Sequence, residues 1–94
     1  MIKHESYEAT RSRYVTLVTE NSQYDLVINY TSHFLGKVLI LHIQTNRFGI
    51  LDIHDIRDPA VFSDTLGLTH PEDVIELSHY LEEVMPMNFT PTQY

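Results

Sequence analysis

The densest run of chemically capable side chains in this sequence is Asp52-Ile53-His54-Asp55-Ile56-Arg57-Asp58. Carboxylates and an imidazole packed this closely can hold Mg²⁺, Mn²⁺ or Zn²⁺. A small metal-dependent hydrolase would use Asp52, His54, Asp55 and Asp58. At the end of a strand, Asp52 and His54 share one face, and Asp55 and Asp58 follow in the loop, where sites tend to lie. No established metal motif has this spacing. A plainer reading is also stronger: Asp58 caps a helix that opens on Pro59, and Arg57 pairs with a neighbouring carboxylate. The four residues therefore stand as candidate ligands only, and no cofactor is implied.

The other constellations are weaker. Glu76-x-x-His79 matches the pair that helices contribute to di-iron carboxylate bundles. Such sites need several inward-facing pairs, and this one lies opposite the apolar stripe of its helix. His42 alternates with Val38 and Ile40, which reads as a half-buried, hydrogen-bonded imidazole. His33, at a turn, is expected to be exposed. Nucleophilic catalysis finds no support: there is no cysteine and no Gly-x-Ser-x-Gly elbow. The three glycines, at 36, 49 and 67, are too far apart for a phosphate loop.

Tyr14, Tyr24, Tyr30 and Phe48, with Arg11, Arg13, Lys37 and Arg47, suggest a sheet face that stacks single-stranded RNA bases. Charge speaks against it. Residues 1–57 hold six basic and six acidic side chains, whereas residues 58–94 hold seven acidic ones and no Lys or Arg. The whole net charge of −7 thus sits on the C-terminal part. That part repels phosphates, and the sheet part lacks the positive excess that drives such binding. Neither a nucleic acid nor a membrane surface is expected as a partner.

These residues must be positioned by an α+β fold. Period-two alternation is clean in Tyr24–Thr31, with Tyr24, Leu26, Ile28 and Tyr30 on one side. Strands are expected at 13–20, 24–31, 37–43 and 47–53, antiparallel because the connections are short. Gly49 inside the fourth hints at a bulge or a close backbone approach. Asp58-Pro59 opens a short helix over 59–66, with Gly67 as its stop. Thr69-x-x-Glu72 reads as a capping box that starts a long amphipathic helix over 70–85, ended by Pro86. Val74, Leu77, Leu81, Val84 and Met85 form its apolar stripe. Residues 1–10 read as a loose arm, 11–85 as one α+β domain and 86–94 as a tail.

Tyr24-Asp25-Leu26, Tyr30-Thr31, Phe34 with Gly36-Lys37, and Gln44 with Arg47 resemble a known family. It comprises small cytosolic proteins of roughly 90 residues from Gram-positive bacteria of the Bacillus and Staphylococcus group, catalogued as a domain of unknown function. The resemblance covers nearly everything beyond the first ten residues. It implies a bacterial cytosolic origin and brings no catalytic residues.

The opening Met1-Ile2-Lys3-His4-Glu5 leads into no apolar run and does not read as a signal peptide, so cytoplasm is the expected location. A domain this small buries only about 60–65% of its unfolded surface, so its core is thin. Strand 37–43 is apolar on both sides, and covering both sheet faces takes more than one long helix. One face is expected to carry Val15, Leu17, Val27, Val38, Ile40, Phe48 and Ile50, the other Val18, Leu26, Ile28, Tyr30, Leu39, Leu41, Leu51 and Ile53. An uncovered apolar face invites a second copy, so a homodimer formed partly through the sheet is expected. The competing arrangement folds Phe62, Met87 and Phe89 back over the second face. The best functional expectation is a non-enzymatic interaction or regulatory module.

Overall fold

Alternating β-branched and aromatic residues carry the chain from Arg11 to Leu51 through four strands in the computed structural model, which describes residues 1–85. The strands are β1 (Arg11–Val18), β2 (Gln23–Tyr30), β3 (Val38–His42) and β4 (Arg47–Leu51). They pair antiparallel in sequence order, β1-β2-β3-β4. Three helices follow: α1 (Ile53–Arg57), α2 (Pro59–Leu66) and α3 (Pro71–Val84). Among the described residues no helix is long and apolar enough to cross a membrane.

The turns have local causes. Between β1 and β2, the Thr19 hydroxyl accepts from the backbone N–H groups of Asn21 and Ser22, each at 3.1 Å. Between β3 and β4, Asn46 takes a left-handed conformation with φ 58°, which Asn tolerates better than most residues.

Register decides which side chains share a face. Val15 opposes Leu26, Ile28 opposes Ile40, and Val38 opposes Leu51. Val15, Leu17, Leu26, Ile28, Val38, Ile40 and Leu51 therefore lie together, and all three helices pack on that side. Val27, Leu39, Leu41, Phe48 and Ile50 lie on the other side. The sequence pattern alone groups Val15, Leu17, Val38 and Ile40 with Val27, Phe48 and Ile50, and Val18, Leu39 and Leu41 with Leu26 and Ile28; the register corrects both groupings. Alternation within a strand fixes its two faces, but only the pairing says which face meets which in the neighbour.

The core forms where the helices meet this face. Phe62 and Leu66 from α2, Leu77 and Leu81 from α3 and Ile56 from α1 are fully buried against Leu26, Ile28 and Ile40. At Gly49 the sheet and α2 come very close: a Cβ there would lie 2.3 Å from Thr65 Cγ2. No bulge interrupts the strand, since Gly49 opposes Ile40 in regular register. Close approach is therefore the reason for this glycine.

Two element boundaries differ from expectation. Strand β4 ends at Leu51, and Ile53, expected as strand, starts α1. Asp52 is the cause: its Oδ1 accepts from Asp55 N at 2.8 Å, while Asp55 Oδ2 accepts from Asp52 N at 3.0 Å. This reciprocal pair is the capping box of the molecule. The one expected at Thr69 does not form. Helix α3 starts at Pro71, and its cap is His70, which makes no side-chain capping bond. Pro71 clashes with a helical conformation in the residue before it. His70 is accordingly extended, with φ −106° and ψ 114°, so Thr69 stands outside the helix.

Candidate functional site

The residues singled out for metal chemistry lie where β4 hands over to the helices, and backbone donors already occupy their carboxylates. Asp52 and Asp55 cap α1 as described above. Asp58 Oδ1 accepts from Ala60 N at 3.1 Å and Val61 N at 3.3 Å, capping α2. The Asp55 backbone N–H, above all, holds the Asp52 carboxyl below its ordinary range, with Lys37 and His54 adding to the effect. His54 is exposed. Among the described residues no group of three or more His, Cys, Asp or Glu is arranged to hold a metal ion. The second pair, Glu76 and His79, projects from the exposed side of α3.

The four aromatics proposed for base stacking do not share a surface. Tyr24 and Tyr30 are buried on the helix-covered face, whereas Tyr14 and Phe48 stand on the other. The arginines nearby serve the buried side. Arg11 lies over the Tyr30 ring at 5.7 Å, Arg13 Nε donates to the Tyr30 hydroxyl at 3.4 Å, and Arg47 donates to the Asp64 carbonyl at 2.8 Å.

A buried polar seam runs along the edge of the core, and sequence reasoning missed most of it. Asp73 is fully buried in the first turn of α3. The Tyr24 hydroxyl donates to its Oδ2 at 2.5 Å, and Asn21 Nδ2 donates to its Oδ1 at 3.1 Å. Burial is the largest influence and pushes the carboxyl up. The bonds from Tyr24, Asn21 and Thr19, with His70 nearby, outweigh it and leave Asp73 below its ordinary range. Burial first, then the bond and charge of Asp73, push the Tyr24 phenol well up. A signal was available: Asp73 precedes Leu77 and Leu81 by four and eight residues, which places it on the buried stripe.

His42 is buried and hydrogen-bonded, as its alternation with Val38 and Ile40 suggested. Its Nδ1 lies 2.7 Å from the Leu66 carbonyl, which can only accept, so Nδ1 carries the proton. The Thr45 hydroxyl donates to the same carbonyl at 3.0 Å. His42 Nε2 is buried without a hydrogen-bond partner among the described residues. These contacts tie the sheet to the end of α2. His42 and Leu66 are buried, and Thr45 closes the contact from the exposed side.

The accessible feature is the open sheet face. Tyr14, Val27, Leu41 and Phe48 form one row across all four strands, and Leu39 with Ile50 forms the next. Tyr14 is 78% exposed and Phe48 63%. Among the described residues the strands place one charged side chain on this face, Asp25. Thr16 and Gln44 donate to its carboxylate, each at 2.6 Å. The Thr16 bond is the main reason that its carboxyl lies below the ordinary range.

Comparison with known proteins adds a family. A family model described as SAV0927-like matches residues 4–83. No curated protein matches the chain.

Proposed function

We propose that this chain, which belongs to the SAV0927-like family, is a non-enzymatic interaction module that pairs with a second copy of itself through the open sheet face. The family is one of unknown function, so the reading rests on the surface. The observation that carries it is the four-strand row Tyr14–Val27–Leu41–Phe48, apolar, accessible and remote from every helix that builds the core. Contiguous apolar patches of this kind mark interaction sites in soluble proteins.

Charge placement supports a second copy as the occupant. The acidic excess belongs to residues 58–94, and the helices among them pack on the opposite face of the sheet. Two copies meeting open face to open face keep their acidic layers outermost and far apart. The contact itself joins nearly uncharged surfaces, so little Coulomb repulsion opposes it. A twofold axis lets the same row serve both sides of the interface.

Light scattering after size exclusion, at micromolar protein, tests the reading. A mass near two chains of 11.0 kDa is expected. A mass near one chain overturns it.

A further inference from the structure

We infer that the outer edge of β1 pairs with β1 of a second copy, antiparallel and centred on Val15, so that two sheets join into one. The direction of the backbone groups comes first. Thr19 N donates to Ser22 O at 2.9 Å, so Thr19 and Ser22 form a hydrogen-bonded pair at the head of the β1–β2 hairpin. Such pairs alternate with non-hydrogen-bonded ones along an antiparallel ladder. The register then makes Leu17–Tyr24, Val15–Leu26, Arg13–Ile28 and Arg11–Tyr30 the bonded pairs. Ser12, Tyr14, Thr16 and Val18 therefore turn their N–H and C=O groups away from β2. Asp25, opposite Thr16, has the matching phase: its carbonyl accepts from Ile43 N at 2.9 Å, on the β3 side. Among the described residues β2 is the only strand beside β1, so these outward groups form an open ladder.

The usual guards of an edge strand are brevity, proline, a bulge or charges standing over it. β1 runs for eight residues without Pro or Gly and in unbroken register. Its charges are turned aside, with Arg11 over the Tyr30 ring and Arg13 Nε donating to the Tyr30 hydroxyl. The opposite edge differs. β4 has five residues, and its Gly49 is pressed against Thr65 of α2.

Self-complementarity identifies the occupant. With the twofold axis at Val15, Ser12 pairs with Val18 of the second copy and Tyr14 with Thr16, so every outward N–H and C=O of the strand finds a counterpart. Tyr14 beside Thr16 is an aromatic and β-branched combination of the kind that stabilises sheets. On the helix side, the half-buried Val15 meets its own copy, and the half-buried Leu17 gains the aliphatic stem of Arg13 as cover. No arginine opposes an arginine. Arg11 faces Thr19, beside Glu20, so opposite charges meet at both ends of the contact. This axis stands perpendicular to the sheet and keeps both open faces on one side. Where chains are already paired through their open faces, as the functional reading has it, two pairs can close edge to edge into four chains. Each pair then offers two β1 edges at once. A single edge trades bonds to water for bonds to backbone and gains little, so the four-chain form belongs to higher concentration than the pair.

The test exploits a chain without cysteine. Opposed residues of a non-hydrogen-bonded pair stand about 4.5 Å apart at Cα, within the roughly 4.4–6.8 Å that a disulfide spans. Val15→Cys, mildly oxidised, is expected to give a cross-linked band at twice 11.0 kDa. Leu17→Cys lies about 13 Å from its own copy in this register and is expected to stay single. Should Val15→Cys perturb the fold, a mixture of Ser12→Cys and Val18→Cys chains, both exposed positions, should cross-link one to the other. Val18→Pro removes an outward N–H and spares the ladder to β2. It should abolish the four-chain form in light scattering at raised concentration and leave the two-chain mass. Absence of these cross-links, equal cross-linking at Leu17, or a four-chain form that survives Val18→Pro overturns the inference. Failure of the open-face reading looks different: a mass of one chain, with Val15→Cys still cross-linking, supports the edge contact and removes the face.

Discussion

The two faces of one sheet contain residues of similar hydropathy and meet different fates. Leu26, Ile28, Val38 and Ile40 on one face lie under three helices and are fully or almost fully buried. Val27, Leu39 and Leu41, their neighbours along the same strands, are only partly covered, and Tyr14 and Phe48 are open. The difference comes from what the chain supplies after β4. All three helices turn to the same side, because α1, capped by Asp52, starts directly after β4 and α2 and α3 follow through tight connections. The described residues supply one helical layer, and among them the apolar second face of the sheet is left without helical cover. Polar chemistry divides in the same way. The covered face holds internal bonds, Tyr24 to Asp73 and His42 to Leu66, whereas the open face offers a nearly uncharged surface.

Adjacent residues of β3 give the harshest test of this contrast. Ile40→Asp places a charge without a partner among Phe62, Leu66 and Leu77. The expected loss is on the order of 5 kcal/mol, comparable to the entire stability of a small domain. The cooperative transition in circular dichroism should disappear. Leu41→Asp, one residue along and on the other face, should keep that transition and yield a folded single chain. If both variants unfold alike, the open face is more deeply integrated into the fold than its exposure indicates.

Smaller changes probe the covered face from within. Gly49→Ala puts a methyl group where Thr65 already sits, and overpacking of this kind costs about 1–3 kcal/mol. A further Thr65→Ala should restore much of that in thermal denaturation, because it removes the colliding Cγ2. Tyr24→Phe leaves the seam one donor short and is expected to cost about 1–3 kcal/mol. pH separates the two partners. The folded phenol of Tyr24 titrates above its ordinary value of 10.0, so its contribution is complete below that pH and is lost as pH rises beyond it. The folded Asp73 carboxyl titrates below its ordinary 3.8, so its contribution is present above that pH and is lost as pH falls beneath it. Urea titrations across pH should show Tyr24→Phe flattening the alkaline limb and Asp73→Asn the acid limb.

How far the sequence could be read follows from the range of the forces involved. The strands were legible because period-two alternation is a property of each strand alone. Helix α2 was legible because Asp58, Pro59 and Gly67 are local signals, and Gly67 does end the helix with φ 68°. Helix α1 escaped notice: Asp52-x-x-Asp55 is not the usual capping pair, and five residues are too few to show a period. At Thr69 a good local signal lost to a stronger one, the steric demand of Pro71. The two caps can be weighed directly by calorimetry. Asp58→Ala should cost about 0.5–2 kcal/mol, and Thr69→Ala no more than about 0.3 kcal/mol. Face parity and the Tyr24–Asp73 bond were out of reach for another reason. They join residues up to 49 positions apart, and only the register and helix placement bring them together. For the candidate site, Asp58 was read correctly as a cap. Met87 and Phe89, proposed as cover for the second face, lie outside the described residues.

The smallest expected effect on the chain itself belongs to Phe48→Ser. The ring is 63% exposed and packs into no core, so the folding of a lone chain should change by no more than about 0.5 kcal/mol. Association should respond far more strongly. Under twofold symmetry the row Tyr14–Val27–Leu41–Phe48 of each copy contributes to the interface, so one substitution removes two rings from every pair. Aromatic anchors at the centre of an interface commonly carry more than their share of its free energy. The readout is the concentration dependence of Tm. A native state that pairs gains stability with concentration, so the unaltered chain should melt higher as it is concentrated. Phe48→Ser should remove that dependence and melt near the value of the dilute parent. A concentration-dependent Tm that persists in Phe48→Ser would place the shared surface elsewhere, at an exposed strand edge or on the helical layer. A Tm independent of concentration in both proteins would leave the open face without a second copy.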